Sequence, residues 1–179
     1  MIERSLSLAL ARAEDINTIV TLWRNIESWA EESVGRIWHN SEITEQVARF
    51  YVEQGELYTL TDDPTGCVIG TITLTEIDPC GYWEAFRGVK ALYVQRVALH
   101  RAHAGRGLGQ KLLKFSEQIA CSRGRRFLRL DCDSERPELC RIYEEFGFER
   151  VGSAPIAGFD AVLYEKDLIK NSADSLLVQ

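Results

Sequence analysis

The sequence predicts an α/β (α+β) domain of about seven strands and four helices in the order βααβββαβαββ. Three observations carry this expectation. Apolar residues alternate with period two in several short runs, as in half-buried strands. Elsewhere they recur every three to four residues, as in helices with one buried face. One strand-like run also passes through a glycine-rich loop straight into a helix-like run.

Taken in order, Ser5 to Ala11 alternates Leu6, Leu8 and Leu10 with small residues and reads as a strand. Glu14 and Asp15 precede a helical pattern of Ile16, Ile19, Val20, Trp23 and Ile26; acidic residues suit the positive end of a helix. Residues 31–40 look irregular. Ser41 is placed to cap a second helix bearing Ile43, Val47, Phe50 and Tyr51. Leu57 to Thr61 and Cys67 to Leu74 form a hairpin around the turn Asp62-Asp63-Pro64-Thr65-Gly66. Ala91 to Leu99 is a strand, Gly107 to Arg123 a helix with Leu108, Leu112, Phe115 and Ile119 inward, and Phe127 to Cys132 another strand. Pro137 suits a first helical position, where its missing N–H is harmless. That helix carries Leu139, Ile142, Tyr143 and Phe146 and stops at Gly147. Phe148 to Gly152 and Ala161 to Asp167 are the closing strands. One domain is expected over residues 1–170, with a loosely held tail over 171–179.

Composition narrows the function. The chain has 179 residues, 45% hydrophobic and 27% charged, which is ordinary for a globular protein. A net charge of -6 offers no general attraction to nucleic acid or to anionic membrane. No apolar run approaches the roughly 18 residues of a membrane span. Met1-Ile2-Glu3-Arg4 lacks the layout of a signal peptide. The five cysteines, Cys67, Cys80, Cys121, Cys132 and Cys140, are odd in number and show no CxxC spacing, which disfavours a disulfide framework or a zinc site. Three histidines, His39, His100 and His103, suggest no metal constellation. The cysteines therefore read as reduced and mostly packed, in a cytoplasmic protein without metal.

The most informative segment is His100-Arg101-Ala102-His103-Ala104-Gly105-Arg106-Gly107-Leu108-Gly109-Gln110-Lys111. The first N–H groups of a helix lack internal acceptors and carry partial positive charge. Glycines let an anion approach them closely. The segment therefore reads as a phosphate cradle. It fails the dinucleotide pattern, because Gln110 stands where the third glycine belongs, and it fails the Walker pattern after Gly109. From His100 to Arg129 there are eight Lys or Arg residues against one carboxylate, Glu117. A multiply phosphorylated ligand is implied, with Arg101, Arg106 and Lys111 as candidate partners.

Tyr93-Val94-Gln95-Arg96-Val97-Ala98-Leu99 followed by Ala104-Gly105-Arg106-Gly107-Leu108-Gly109 resembles the acetyl-CoA motif of the GNAT N-acetyltransferase superfamily, written [RQ]xxGx[GA]. Leu128 to Cys132, and Tyr143-Glu144-Glu145-Phe146-Gly147-Phe148, resemble the strand and helix of that family ending in YxxxGF. The resemblance is strongest over Leu92 to Phe148. Ala104 departs from the usual Arg or Gln, and Arg136 from an Asn often found seven residues before the tyrosine. The resemblance implies a central, mostly antiparallel mixed sheet splayed between strands four and five, flanked by four helices. It further implies acetyl-CoA as co-substrate, with Val97, Ala98 and Leu99 along the pantetheine arm. Ala104, Gly105, Arg106, Gly107, Leu108, Gly109 and Gln110 would lie at the diphosphate.

The implied reaction is attack of a neutral amine on the thioester, with the oxyanion held by a strand N–H. Tyr143 stands where the family has the acid that protonates the leaving thiolate; its place on an apolar helix face equally fits a core residue. A lysine-like amine is only roughly one part in 2,500 neutral at pH 7, so a base is useful. The strand Ala91–Leu99 holds no carboxylate. Asp131 is the first candidate, alternatively a partner of Arg129, and Glu84 is the second. Trp29, Trp38, His39, Tyr82 and Trp83 fall in irregular stretches and suggest aromatic walls for the acceptor. The expected partner is a small-molecule or peptide amine, and the protein a monomer or homodimer. The competing expectations are a non-catalytic CoA-binding module and a nucleotide-binding protein of another class.

Overall fold

The computed structural model describes residues 5–35, 37–38, 40–78, 80–86, 88–156 and 159–169. His39 and the tail 171–179 lie outside them. The elements are β1 (Leu6–Leu10), α1 (Ile16–Ser33), α2 (Glu45–Glu53), β2 (Leu57–Asp62), β3 (Cys67–Thr75), β4 (Ala91–Leu99), α3 (Leu108–Ser122), β5 (Phe127–Asp133), α4 (Pro137–Glu145), β6 (Glu149–Ile156) and β7 (Phe159–Asp167). This is the expected order. The strands form one seven-stranded sheet in the order β1-β2-β3-β4-β5-β7-β6. β1–β2, β2–β3, β5–β7 and β6–β7 are antiparallel, and β4–β5 is parallel. The parallel pairing covers three steps, Ala91 with Phe127, Leu92 with Leu128 and Tyr93 with Arg129, whereas β4 runs on to Leu99. No helix among the described residues is long and apolar enough to cross a membrane.

The chain divides into two compact units. One comprises Met1–Leu74 and Arg96–Gly109. Its core joins Ile16, Ile19, Val20, Trp23 and Ile26 of α1 to Ala48 and Tyr51 of α2, with Leu57 and Ala98. The α1 residues follow the three- and four-residue spacing that stacks one face of a helix. Thr44, not Ser41, caps α2: its side chain accepts from the Val47 N–H at 3.2 Å. Ser41 instead lies in a 3-10 turn, Asn40–Glu42. With that start, Ala48 and Tyr51 face inward and Phe50 is 55% exposed. Gly70 of β3 allows a close approach: a Cβ there would stand 2.8 Å from Leu99 Cδ2 and 3.0 Å from the Ala98 carbonyl oxygen.

The other unit comprises Thr75–Gln95 and Gln110–Gln179. Pro137 opens α4, and Gly147 follows it at φ +93°, a left-handed conformation that suits glycine. Of the four apolar residues expected on this helix, Leu139, Ile142, Tyr143 and Phe146, Tyr143 alone is buried, and Ile142 is 38% exposed. β6 and β7 outrun their apolar patterns because backbone pairing continues to Ile156 with Phe159. Arg129 is 1% exposed. Its Nε donates to Glu165 at 2.8 Å, and its Nη1 donates to the Tyr93 hydroxyl at 3.1 Å and the Phe86 carbonyl at 3.4 Å. The rings of Trp83, Phe86, Tyr93 and Phe127 surround the guanidinium.

Candidate active site

The glycine loop follows a 3-10 turn, Arg101–His103, that closes with the Ala104 N–H donating to the Arg101 carbonyl at 3.1 Å. The N–H of Ala104, a residue expected at the diphosphate, is thus engaged within this turn. Gly105 and Gly107 follow at φ +72° and +71°, a region that costs a residue with a Cβ about 1–2 kcal/mol. A Cβ built on either glycine meets no atom within 4 Å, and the nearest at Gly109 is Leu99 Cδ1 at 3.9 Å. The cradle is therefore open. Among the described residues, no N–H from Gly105 to Gly109 donates to a backbone carbonyl outside the helix. Leu108 is buried and anchors the start of α3, while Arg106, Gln110 and Lys111 are exposed. Arg101 stands with its guanidinium carbon 3.5 Å from the centroid of the Trp29 ring. Alternating left-handed glycines before a helix of 15 residues present several N–H groups to one anion.

The same unit holds Val97, Ala98 and Leu99. Ala98 is buried, whereas Val97 and Leu99 are half-buried. Just before them, Arg96 takes φ +47°, the one non-glycine residue with positive φ among those described. A lone strained residue inside a strand is a sign of function. Sequence reasoning missed it, although the consecutive polar pair Gln95-Arg96 in an apolar strand was a visible signal. Trp29 is in α1 and not in an irregular stretch, and Trp38 lies 6.4 Å from Trp23, ring to ring.

In the other unit Tyr143 is 9% exposed, with its ring at 6.0 Å from Phe148 and from Tyr164. Burial pushes its hydroxyl well above the ordinary tyrosine range, and the charges of Cys132, Asp131 and Cys140 push the same way. Asp131 is thus within electrostatic reach of Tyr143. It is half-buried on β5, and Arg129 turns instead to Glu165. Glu84 is exposed at the start of a 3-10 turn, Glu84–Phe86. Trp83 is 2% exposed and belongs to the Arg129 cluster. The cysteines are not mostly packed: all five are free thiols, and Cys67, Cys80 and Cys121 are exposed. Cys67 opens β3 and Cys121 lies near the end of α3, where a short side chain finds little cover. Among the described residues, no group of three or more His, Cys, Asp or Glu side chains could hold a metal ion.

Known proteins resemble this arrangement. The model of the acetyltransferase (GNAT) family matches residues 21–148. An uncharacterized N-acetyltransferase of Bacillus subtilis, YesJ, is 32% identical over 79 residues, covering 44% of this chain and 42% of YesJ, so less than half of that relative's length is matched. A GNAT-family acetyltransferase from Listeria monocytogenes superposes with a TM-score of 0.78 at 24% identity, covering 93% of this chain and 98% of that one. An acetyltransferase from Salmonella typhimurium, yncA, solved with acetyl-CoA, superposes with a TM-score of 0.71 at 19% identity, covering 92% and 94%. At such identities the structural likeness speaks for the fold.

Proposed function

Because this chain belongs to the acetyltransferase (GNAT) family, we propose that it is an acetyl-CoA-dependent N-acyltransferase acting on a primary amine of a small molecule, amino acid or peptide. The observation that supports this reading is the open, left-handed glycine loop at the start of α3. In it Gly105, Arg106, Gly107, Leu108, Gly109 and Gln110 receive the diphosphate of CoA through backbone N–H groups, and Arg106 and Lys111 add positive charge. Ala104 contributes by carrying only a methyl group where a longer side chain could obstruct the approach. A helix end supplies only about 0.3–1 kcal/mol, up to ~2 when partly buried, against about 8 for micromolar affinity. The remainder falls to the backbone of Val97 and Leu99, to which the pantetheine arm adds like a strand. The buried methyl of Ala98 holds that backbone in place.

In the reaction the amine nitrogen bonds to the thioester carbonyl carbon and the carbon–sulfur bond breaks. The sulfur takes a proton from Tyr143, and the excess proton on nitrogen passes to Asp131 or to water; Glu84 is the weaker candidate. Tyr143 remains protonated throughout the neutral range, so the acid is always loaded. A thiol near 8.5 is a stronger acid than a tyrosine near 10, and burial widens that gap. Transfer to the sulfur is therefore uphill, and the proton shed by nitrogen returns through Asp131 or water to the Tyr143 phenolate, which restores the acid. Trp29 and Trp38, both half-buried, are proposed as walls for the acceptor. Trp83 is closed off by the Arg129 cluster and is a weaker candidate. The enzyme is proposed to be a single domain over 1–170, cytoplasmic, and a monomer or homodimer.

The test is thiol release from acetyl-CoA across a panel of amines, with CoA affinity titrated in parallel for the wild type and Tyr143→Phe. Turnover should fall about 100-fold or more while CoA affinity stays within twofold. CoA binding without release for any amine would favour a non-catalytic binding module. No CoA binding would end the reading altogether.

A further inference from the structure

We infer that Arg96 receives the carboxylate of the acceptor, so that the preferred substrates are amines that also carry a carboxylate, as amino acids do; this rests on the acyltransferase reading above. The side chain of Arg96 is 10% exposed, and removing a guanidinium from water is favourable only when its donors are met. Arg129 shows how this chain satisfies a structural arginine: an acceptor on Nε and two more on Nη1. Arg96 is not satisfied in that way. Its buried Nε has no hydrogen-bond partner. Its ion-pair contact with Glu42 is 3.7 Å, and that carboxylate is 39% exposed, well beyond the usual length of a charge-assisted bond. Otherwise the guanidinium carbon lies 5.4 Å from the ring centroids of Trp23 and Tyr51. Aromatic faces hold a cation without using its N–H groups.

Hydrogen bonds tie the elements around this arginine together. Trp23 Nε1 donates to Thr71 Oγ1 at 2.9 Å, and Thr71 Oγ1 donates to the Arg96 carbonyl at 3.5 Å. The backbone is held at φ +47°, a strain that a packing role alone does not require. Arg96 immediately precedes Val97, one of the two residues proposed to carry the thioester end of the co-substrate. An amine attacking there brings its remaining substituents beside Arg96. A planar, forked donor selects a two-oxygen anion such as a carboxylate.

The experiment uses the full chain and acetyl-CoA with matched acceptors that differ only in the carboxylate: phenylalanine against phenethylamine, tryptophan against tryptamine, methionine against 3-(methylthio)propylamine. CoA binding is titrated first, and its failure would overturn the acyltransferase reading together with this inference. With CoA bound, kcat/KM for the carboxylate member of at least one pair should exceed that of its partner by about 100-fold, the worth of a charge-assisted bidentate pair. Arg96→Gln should erase that ratio by losing the carboxylate member, with the KM for acetyl-CoA unchanged. Arg96→Lys should keep part of it. Glu42→Gln leaves the arginine in place and removes a competing anion, so it should lower KM for the carboxylate members only. It also serves if the Arg96 variants do not fold. Equal or better turnover of the carboxylate-free amines would overturn the inference. So would binding of CoA with no carboxylate-bearing amine bound or acetylated, or a ratio that survives Arg96→Gln.

Discussion

Gly107→Val tests the loop most directly. Gly107 sits at φ +71°, where a residue with a Cβ is strained by about 1–2 kcal/mol, and a β-branched one is a genuine outlier. The new Cβ would meet no atom within 4 Å, so no core contact is lost. The exposed loop relieves the strain by rotating its backbone, which turns the neighbouring amide away. Binding CoA then requires restoring the strained form. At 1.4 kcal/mol per factor of ten, the affinity should fall about 5- to 30-fold, while the thermal midpoint of the free protein changes little. Gly107→Asn provides the control, since asparagine tolerates this region and should retain most of the affinity. Isothermal titration with CoA reads both variants. An unchanged dissociation constant for Gly107→Val would refute the claim that these amides grip the ligand.

Other perturbations follow from the packing. Arg129→Met should destabilise the protein by about 3–5 kcal/mol in urea unfolding, because it strands Glu165, whereas Arg129→Met with Glu165→Leu should recover much of the loss. Gly70→Ala should cost about 1–3 kcal/mol, since the new methyl meets a backbone oxygen at 3.0 Å as well as Leu99; equilibrium unfolding measures it, and a neutral result would mean that β3 and β4 yield easily. Burial raises the Tyr143 hydroxyl above its unfolded value. The associated stability is therefore complete below about pH 10 and is lost above it by about 1.4 kcal/mol per pH unit. Tyr143→Phe should flatten the alkaline limb of stability against pH, and an identical limb in the variant would contradict the burial of that hydroxyl.

Local chemistry made much of this protein legible. The order of eleven elements, the glycine loop, Pro137 opening α4 and Gly147 ending it all follow from periodicity and from residues with restricted or permissive backbones. Such features depend on neighbours a few positions away, which a sequence displays directly. The start of α2 was misread because Ser41 and Thr44 are both competent caps, and only the fit of Ala48 and Tyr51 into the core selects between them. Phe50 and Ile142 share the helical spacing of their apolar neighbours yet are exposed, because the width of a buried face is set by its packing partners.

The sequence by itself determined the elements and the glycine loop before α3, since both are written in short-range patterns of glycine, capping residues and apolar period. Tertiary structure alone decided which charges are buried. Arg96, beside Gln95, and Arg129, between Leu128 and Leu130, each sit in a mostly apolar strand, and those flanks do not say which acceptors each side chain will meet. Folding surrounds Arg129 with acceptors from Phe86, Tyr93 and Glu165. It gives Arg96 the faces of Trp23 and Tyr51 and no acceptor for its Nε. The difference arises because desolvation and hydrogen-bond satisfaction depend on groups distant along the chain, which come together only when the sheet and helices close around them.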